Sequence, residues 1–280
     1  MARTLSPLRY PGGKTKLYKY IKKLIKHNNL LGCTYVEPFA GGCGLAIQLL
    51  HTNIVNNIIL NDIDISIYAF WKTVLDDSDK LIKKIIDTPI TMDEWYKQKE
   101  IQDNKFDADL FELGFSTLFL NRTNFSGIIK AGPLGGYSQN GPNKLDCRFN
   151  KKDIIIKIQL IHRYKEQIQF YNMDAIDFFE ILNEINQNEL FIFLDPPYFE
   201  NGPGLYTNFY TEKDHNKLAE YVSNLNHHWI VTYDNVDKIK EIYNKYNYNF
   251  NEYSLSYSAN NKYKGTEIMF YSNNLIPVSF

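Results

Sequence analysis

Asp195-Pro196-Pro197-Tyr198 directly follows an apolar run, residues 191–194, that reads as a buried strand. Proline cannot continue a central strand, so the chain must leave the sheet there. A carboxylate, a rigid backbone carbonyl and an aromatic ring are thereby set together at the carboxyl edge, where open α/β sheets bind their ligands. Such a set can accept hydrogen bonds and stack on a planar ligand. The plainer reading is a Pro-Pro loop with a capping aspartate.

A second set is Val36-Glu37-Pro38-Phe39-Ala40-Gly41-Gly42-Cys43-Gly44. Glycines between a strand and a helix let a ligand approach the backbone closely, and Asp62 stands at the end of the next predicted strand, where a carboxylate meets ribose hydroxyls. A nicotinamide-binding turn has the same layout, but the Gly-x-Gly-x-x-Gly spacing begun by Gly42 and Gly44 arrives at Ile47. A Walker phosphate loop needs Gly-Lys-Ser/Thr, which is absent here. Glu37 would repel a pyrophosphate and suits a ligand carrying positive charge, which favours S-adenosyl-L-methionine. A glycine turn of purely structural use is the competing reading. A third set, Pro7-Leu8-Arg9-Tyr10-Pro11-Gly12-Gly13-Lys14, is by itself only a turn signal ahead of the first helix.

The elements that must position these groups alternate. A helix is predicted at 14–27, strands at 34–37 and 57–60, and helices at 45–50 and 65–75. After a break the rhythm resumes with helix 152–164, strand 168–171, helix 175–183, strand 190–194, helix 214–225 and strand 229–232. Two final strands, 248–257 and 266–271, are joined through Asn260, Asn261 and Gly265. This is the pattern of an α/β protein with a doubly wound parallel sheet. Residues 76–150 interrupt it, helical to about Leu120 and then polar and glycine-rich. The expected division is a catalytic domain from 1–75 and 151–280, with 76–150 as an inserted module.

Composition narrows the classes. With 44% hydrophobic and 22% charged residues in 280, the chain is neither disordered, collagen-like nor a coiled coil. Its apolar runs are too short to span a bilayer, so no membrane role is expected. Cys33, Cys43 and Cys147 form no metal-ligand spacing and no disulfide framework, so no metal and a reducing, cytoplasmic setting are expected. Arg3 and Arg9 precede Pro, Gly and Lys instead of an apolar stretch, so no secretory signal is expected. The net charge of −1 hides a bias: residues 1–36 carry eight basic side chains and no acidic one. A second basic patch runs through Arg148, Lys151, Lys152, Lys157, Arg163 and Lys165. Such clusters suit phosphates, or are solvated helix faces.

The three sets in this order resemble the Dam-type (D12 class) family of DNA adenine-N6 methyltransferases. There a Pro-Gly-Gly-Lys segment opens the chain, Glu-Pro-Phe-x-Gly-x-Gly binds the cofactor, a target-recognition insert follows, and Asp-Pro-Pro-Tyr comes after it. Asn121-Arg122-Thr123-Asn124-Phe125-Ser126-Gly127 is similar to the family's recognition segment. Tyr171-Asn172-Met173-Asp174 matches its acidic strand end, and Thr266-Glu267-Ile268-Met269 its last strand. Tyr10 replaces a common tryptophan, and 128–137 differs from the segment of GATC-reading members. The resemblance implies a Rossmann-like S-adenosyl-L-methionine-dependent fold with a C-terminal β-hairpin and a mostly helical target-recognition insert.

It also implies roles. Asp195 and the Pro196 carbonyl accept the hydrogens of adenine N6, Pro197 stiffens the loop and Tyr198 stacks on a flipped adenine. Tyr10, Lys14, Glu37, Pro38, Phe39, Gly41, Gly42, Gly44, Asp62, Asp174 and Asp195 contact the cofactor. Asn121, Arg122 and Asn124 contact double-stranded DNA, unless they only brace the preceding helix. The enzyme would act alone or beside a separately encoded restriction endonuclease. Cytosine-C5 chemistry needs a nucleophilic cysteine, and no Pro-Cys dipeptide occurs; Asp195 favours adenine over cytosine-N4. A non-catalytic nucleic-acid-binding module and an RNA methyltransferase are the alternatives.

Overall fold

The structure, a computed structural model, describes residues 4–10, 12–184, 190–200, 210–257 and 263–280. Lys14–Leu17 forms a 3-10 turn leading into α1 (Tyr18–His27), which buries Tyr20, Ile21, Leu24 and Ile25. The chain then runs through β1 (Thr34–Glu37), α2 (Gly44–His51), β2 (Asn57–Asn61) and α3 (Ile65–Asp76). Next come α4 (Ser78–Asp87), α5 (Met92–Asp103), α6 (Leu110–Thr123) and α7 (Lys151–His162). The second half holds β3 (Ile168–Tyr171), α8 (Ala175–Glu184), β4 (Leu190–Leu194), α9 (Glu212–Ser223), β5 (His228–Asp234), α10 (Asp237–Asn244), β6 (Asn249–Tyr257) and β7 (Tyr263–Tyr271).

These strands form one seven-stranded sheet in the order β3-β2-β1-β4-β5-β7-β6. The run from β3 to β5 is parallel, and β7 enters antiparallel between β5 and β6. This is the expected Rossmann-like methyltransferase fold with its C-terminal hairpin. The order reverses between β1 and β4, so the loops after these two strands diverge and leave a crevice between them.

Strand side chains alternate between two apolar layers. Tyr35, Ile58, Leu60, Phe191, Phe193 and Ile230 pack with residues of α1 to α7. Val36, Ile59, Ile192, Leu194 and Val231 pack with α8, α9 and α10 on the opposite face. Helices α4, α5 and α6 do not form a core of their own. Leu81, Ile85, Trp95, Phe115 and Phe119 belong to the same cluster as α3 and the sheet. At the crossing of α6 over α3, a Cβ on Gly114 would lie 2.3 Å from Thr73 Oγ1, so only glycine permits this approach.

Three details depart from the sequence reading. Helix α10 was not foreseen, although Ile239, Ile242 and Tyr243 recur at helical spacing. Gly265, expected in the final turn, lies in β7 opposite Leu255; Asn260 and Asn261 lie outside the described residues. β5 extends to Asp234, with consequences for the site. Among the described residues no helix is long and apolar enough to cross a membrane, and no group of side chains is arranged to hold a metal ion.

Candidate active site

A cavity of about 740 Å3 opens at the point where the strand order reverses. Tyr10 and Lys14 line it from the N-terminal segment, and Glu37, Pro38, Phe39, Gly42 and Gly44 from the loop after β1. Asp62 and Asp174 line it from the ends of β2 and β3, and Asp195 and Pro197 from the end of β4, across the reversal of strand order. Four expected site residues are absent from this lining: Gly41, Pro196, Tyr198 and Asn124.

The glycine loop is built to receive a ring. A Cβ on Gly42 would lie 2.6 Å from Tyr10 Cβ, and one on Gly41, whose φ is +47°, would lie 2.6 Å from Tyr10 Cε1. The glycines are thus required by the close approach of Tyr10 as well as by a backbone turn. The Gly41 carbonyl accepts from Trp71 Nε1 at 2.9 Å, and its N–H donates to Asp62 Oδ2 at 2.8 Å. Asp62 Oδ1 accepts from the Asp64 N–H at 2.9 Å. Burial raises the Asp62 carboxyl to about 6 despite these donors. Asp174 caps α8 by accepting from the Ile176 N–H at 2.9 Å. Asn61, which the sequence reading passed over, ties three strand ends together. Its amide donates to the carbonyls of Pro38 and Met173, each at 3.0 Å, and accepts from the Met173 N–H at 3.1 Å.

Glu37 closes β1 inside the cavity at 6% exposure. Its Oε1 accepts from the Tyr35 hydroxyl at 2.9 Å. Burial, with the nearby Asp195 charge adding to it, pushes its carboxyl up to about 8. A buried acid in this state gains most from a ligand that brings positive charge.

Asp195 is held on both oxygens. Lys14 Nζ donates to Oδ2 at 2.7 Å, and Thr232 Oγ1, from β5, donates to Oδ1 at 2.9 Å. The Lys14 side chain is 4% exposed and its ammonium also stands 4.9 Å from the centre of the Tyr198 ring. Tyr198 is buried, and its hydroxyl donates to Glu267 Oε1 at 2.7 Å. The N–H groups of Phe199 and Glu200 donate to the two oxygens of Asp234, each at 3.0 Å, which fixes the exit of the loop. Sequence reasoning named the four residues of this loop and missed Thr232, Asp234 and Glu267. Their one signal was a polar residue ending or interrupting an otherwise apolar strand.

The end of α6 and the segment after it also reach the cavity, which Asn121, Arg122 and residues 126–130 help to line. Asn121 Oδ1 accepts from the Arg9 N–H at 2.7 Å, while its Nδ2 donates to the carbonyls of Arg9 and Gly127 at 2.9 and 2.7 Å. Asn124 Oδ1 accepts from Trp95 Nε1 at 2.7 Å, and its Nδ2 donates to the carbonyls of Ile128 and Ile129. Both residues are buried, and each amide makes three hydrogen bonds to the protein. Arg122 lines the cavity beside Asn121, its Nε has no partner, and burial followed by the nearby Arg9 charge lowers its guanidinium to about 10. Two lysines of the second basic patch are also used internally. Lys151 donates to the carbonyls of Ile86 and Thr88, and Lys157 is 3.1 Å from Asp153.

The profile of the D12 class N6 adenine-specific DNA methyltransferase family matches residues 10–259. The type II methyltransferase M.MjaIII of Methanocaldococcus jannaschii is 26% identical over 238 residues, covering 78% of this chain and 79% of that protein. The type II methyltransferase M.CviBI of Paramecium bursaria Chlorella virus NC1A is 24% identical over 251 residues, covering 85% and 86%. The retron Ec67 DNA adenine methylase of Escherichia coli is 23% identical over 270 residues, covering 94% and 89%. With the match spanning nearly the whole chain, and the Asp-Pro-Pro-Tyr loop and the glycine turn facing each other across one crevice, the chain belongs to the D12 class of N6 adenine-specific DNA methyltransferases.

Proposed function

We propose that this enzyme transfers the methyl group of S-adenosyl-L-methionine to the exocyclic amino group of an adenine turned out of double-stranded DNA. The observation that carries this reading is the Asp195 carboxylate, fixed on both oxygens at the wall of a cavity that also holds Glu37. The amino nitrogen of adenine is a poor nucleophile because its lone pair is delocalised into the ring. Acceptors at Asp195 and the Pro196 carbonyl draw on its two hydrogens and favour a pyramidal nitrogen with its lone pair free. Positioning and fixed charge then suffice, without a covalent intermediate.

The residues present fit the methyl donor. Glu37 is a buried acid awaiting a positive charge, Gly42 and Tyr10 form a close-packed cradle, and Asp62 and Asp174 end adjacent strands on the same wall. When bound, the donor supplies a sulfonium methyl group. Phe39, with Tyr210 edge-on at 5.9 Å between centroids, and Pro38 would shape its apolar contacts, beside the turn made by Gly41 and Gly44. Lys14 now stands over Tyr198, so a purine that stacks on the same face displaces the ammonium. Of the three residues expected to meet DNA, Arg122 retains an unused donor, while Asn121 and Asn124 hold Arg9 and residues 127–129 in place. Residues 76–150 would then serve as the recognition module, braced on the shared core. The free thiols Cys33, Cys43 and Cys147 suit a reducing cytoplasm.

The test is methyl transfer from labelled S-adenosyl-L-methionine to unmethylated genomic DNA, with modified positions mapped on single molecules. N6-methyladenine confined to one short motif is the expected product. Tight cofactor binding with no transfer to DNA would turn the reading to RNA or to a non-catalytic module. Gene deletion separates the two cellular settings: it is lethal where an endonuclease cuts the same motif and tolerated where the enzyme acts alone.

A further inference from the structure

Glu267 occupies the middle of β7, in register with Asp234 on β5 and with Tyr253 on β6. It is 1% exposed. Its Oε1 accepts from the Tyr198 hydroxyl at 2.7 Å and its Oε2 accepts from the Tyr253 hydroxyl, both tyrosines being buried. Burying a carboxylate between two phenols is an expensive way to fill space, since an apolar side chain would pack there without a desolvation penalty. Burial raises the Glu267 carboxyl, with Lys14 opposing and Asp195 adding to the effect.

The connection to the reaction runs through one side chain. Tyr198 is gripped at its hydroxyl by Glu267, and its ring face lies 4.9 Å from the Lys14 ammonium, which itself binds Asp195 Oδ2 at 2.7 Å. A ring held at the hydroxyl end cannot swing toward solvent, because its distal end is anchored. The position of the ring is therefore set from β7, a strand that contributes nothing to the cofactor side of the crevice.

We propose that Glu267 is a positioning residue for the target base: through the Tyr198 hydroxyl it fixes the position of the ring against which adenine is received, while Tyr253 holds its other oxygen. This rests on the reading that adenine is delivered to Asp195 and Tyr198. It assigns to the C-terminal hairpin a part in base capture distinct from cofactor binding.

A double-mutant cycle on the full chain tests it, using Glu267→Leu, Tyr198→Phe and the pair. Single-turnover methylation is measured on a duplex carrying the mapped motif. Each single variant should slow methyl transfer by about tenfold to a hundredfold, the scale on which a misplaced reactant loses rate. The pair should be no slower than the slower single variant, because both changes remove the same hydrogen bond. With 2-aminopurine in the target position, emission on binding should rise above wild type in Glu267→Leu, as the base leaves the helix without being held against the ring. Tyr253→Phe, which keeps the Tyr198–Glu267 bond, should shift both readings in the same direction by less. Cofactor affinity should stay at the wild-type value in all four. Multiplying effects in the pair, unchanged emission, or lost cofactor affinity in Tyr253→Phe would each overturn the assignment. An inactive wild type would instead defeat the proposed function itself, so the two failures are distinguishable.

Discussion

In the loop after β4, Asp195 keeps its carboxylate on the cavity wall, steadied by Lys14 and Thr232. At the end of α6 and just after it, Asn121 and Asn124 turn their amides into the protein, each making three hydrogen bonds, to Arg9, Trp95 and residues 127–129. Both regions present polar residues at family spacing, so the sequence treats them alike. The Asp195 carboxylate keeps acceptor sites on both oxygens after its two donors are bound, whereas each asparagine has spent both amide hydrogens inside the protein and keeps one acceptor site on a buried oxygen. Motif membership therefore marks importance, and the count of unused donors and acceptors separates contact from support.

The contrast can be broken at either end. Asp195→Asn keeps the shape and removes the charge, and should lower single-turnover methylation by about a thousandfold, the upper range for loss of a preorganised electrostatic group. Cofactor and DNA affinity should remain near wild type; retained turnover would remove Asp195 from the chemistry. Asn124→Ala should act through stability alone. It strands the Trp95 Nε1–H and two carbonyls, and on the order of 3 kcal/mol should be lost in denaturant unfolding. The methylated motif should stay the same in the molecules that fold, and an altered motif would show that Asn124 touches DNA after all.

Two finer predictions sharpen the line between the regions. Arg122→Ala should relax the preference at one position of the motif by about 1–3 kcal/mol, as expected for a guanidinium on a base edge. Uniform weakening across sequences would mark a phosphate contact instead. Glu37 should couple cofactor binding to pH. Its carboxyl is protonated below about 8 in the free enzyme, and a cationic ligand selects the ionised form. Binding therefore releases a proton, and affinity should rise with pH, by at most about tenfold per unit, until it levels above about 8. Glu37→Gln should flatten that slope, which calorimetry in buffers of different ionisation enthalpy would show; an unchanged slope would exclude Glu37 as its origin.

Much of the frame was legible in the residues. β1, β3 and β4 have the predicted limits because each is a short apolar run ended by a polar residue or proline. The glycine turn was legible because few residues tolerate its geometry, and Asp195-Pro196-Pro197-Tyr198 because proline must end the strand. Helix α10 was missed although Ile239, Ile242 and Tyr243 recur at helical spacing. Asn61 and Thr232 were passed over as site residues, and Glu267 was read only as part of the last strand, because a single polar residue at a strand end or within a strand has no local pattern to give it a role.

By itself, then, the chain order determined the alternation of strand and helix, the placing of the loops after β1 and β4 at the carboxyl edge of the sheet, and the types of group they carry. These follow from local rules of period, turn chemistry and chain direction. Tertiary structure alone decided that Lys14 pairs with Asp195 across 181 positions, and that Tyr198 is gripped by Glu267 across 69. It also decided that the amides of Asn121 and Asn124 turn inward. A side chain's partners depend on which strands the sheet brings side by side, and that order is set by packing of the whole core.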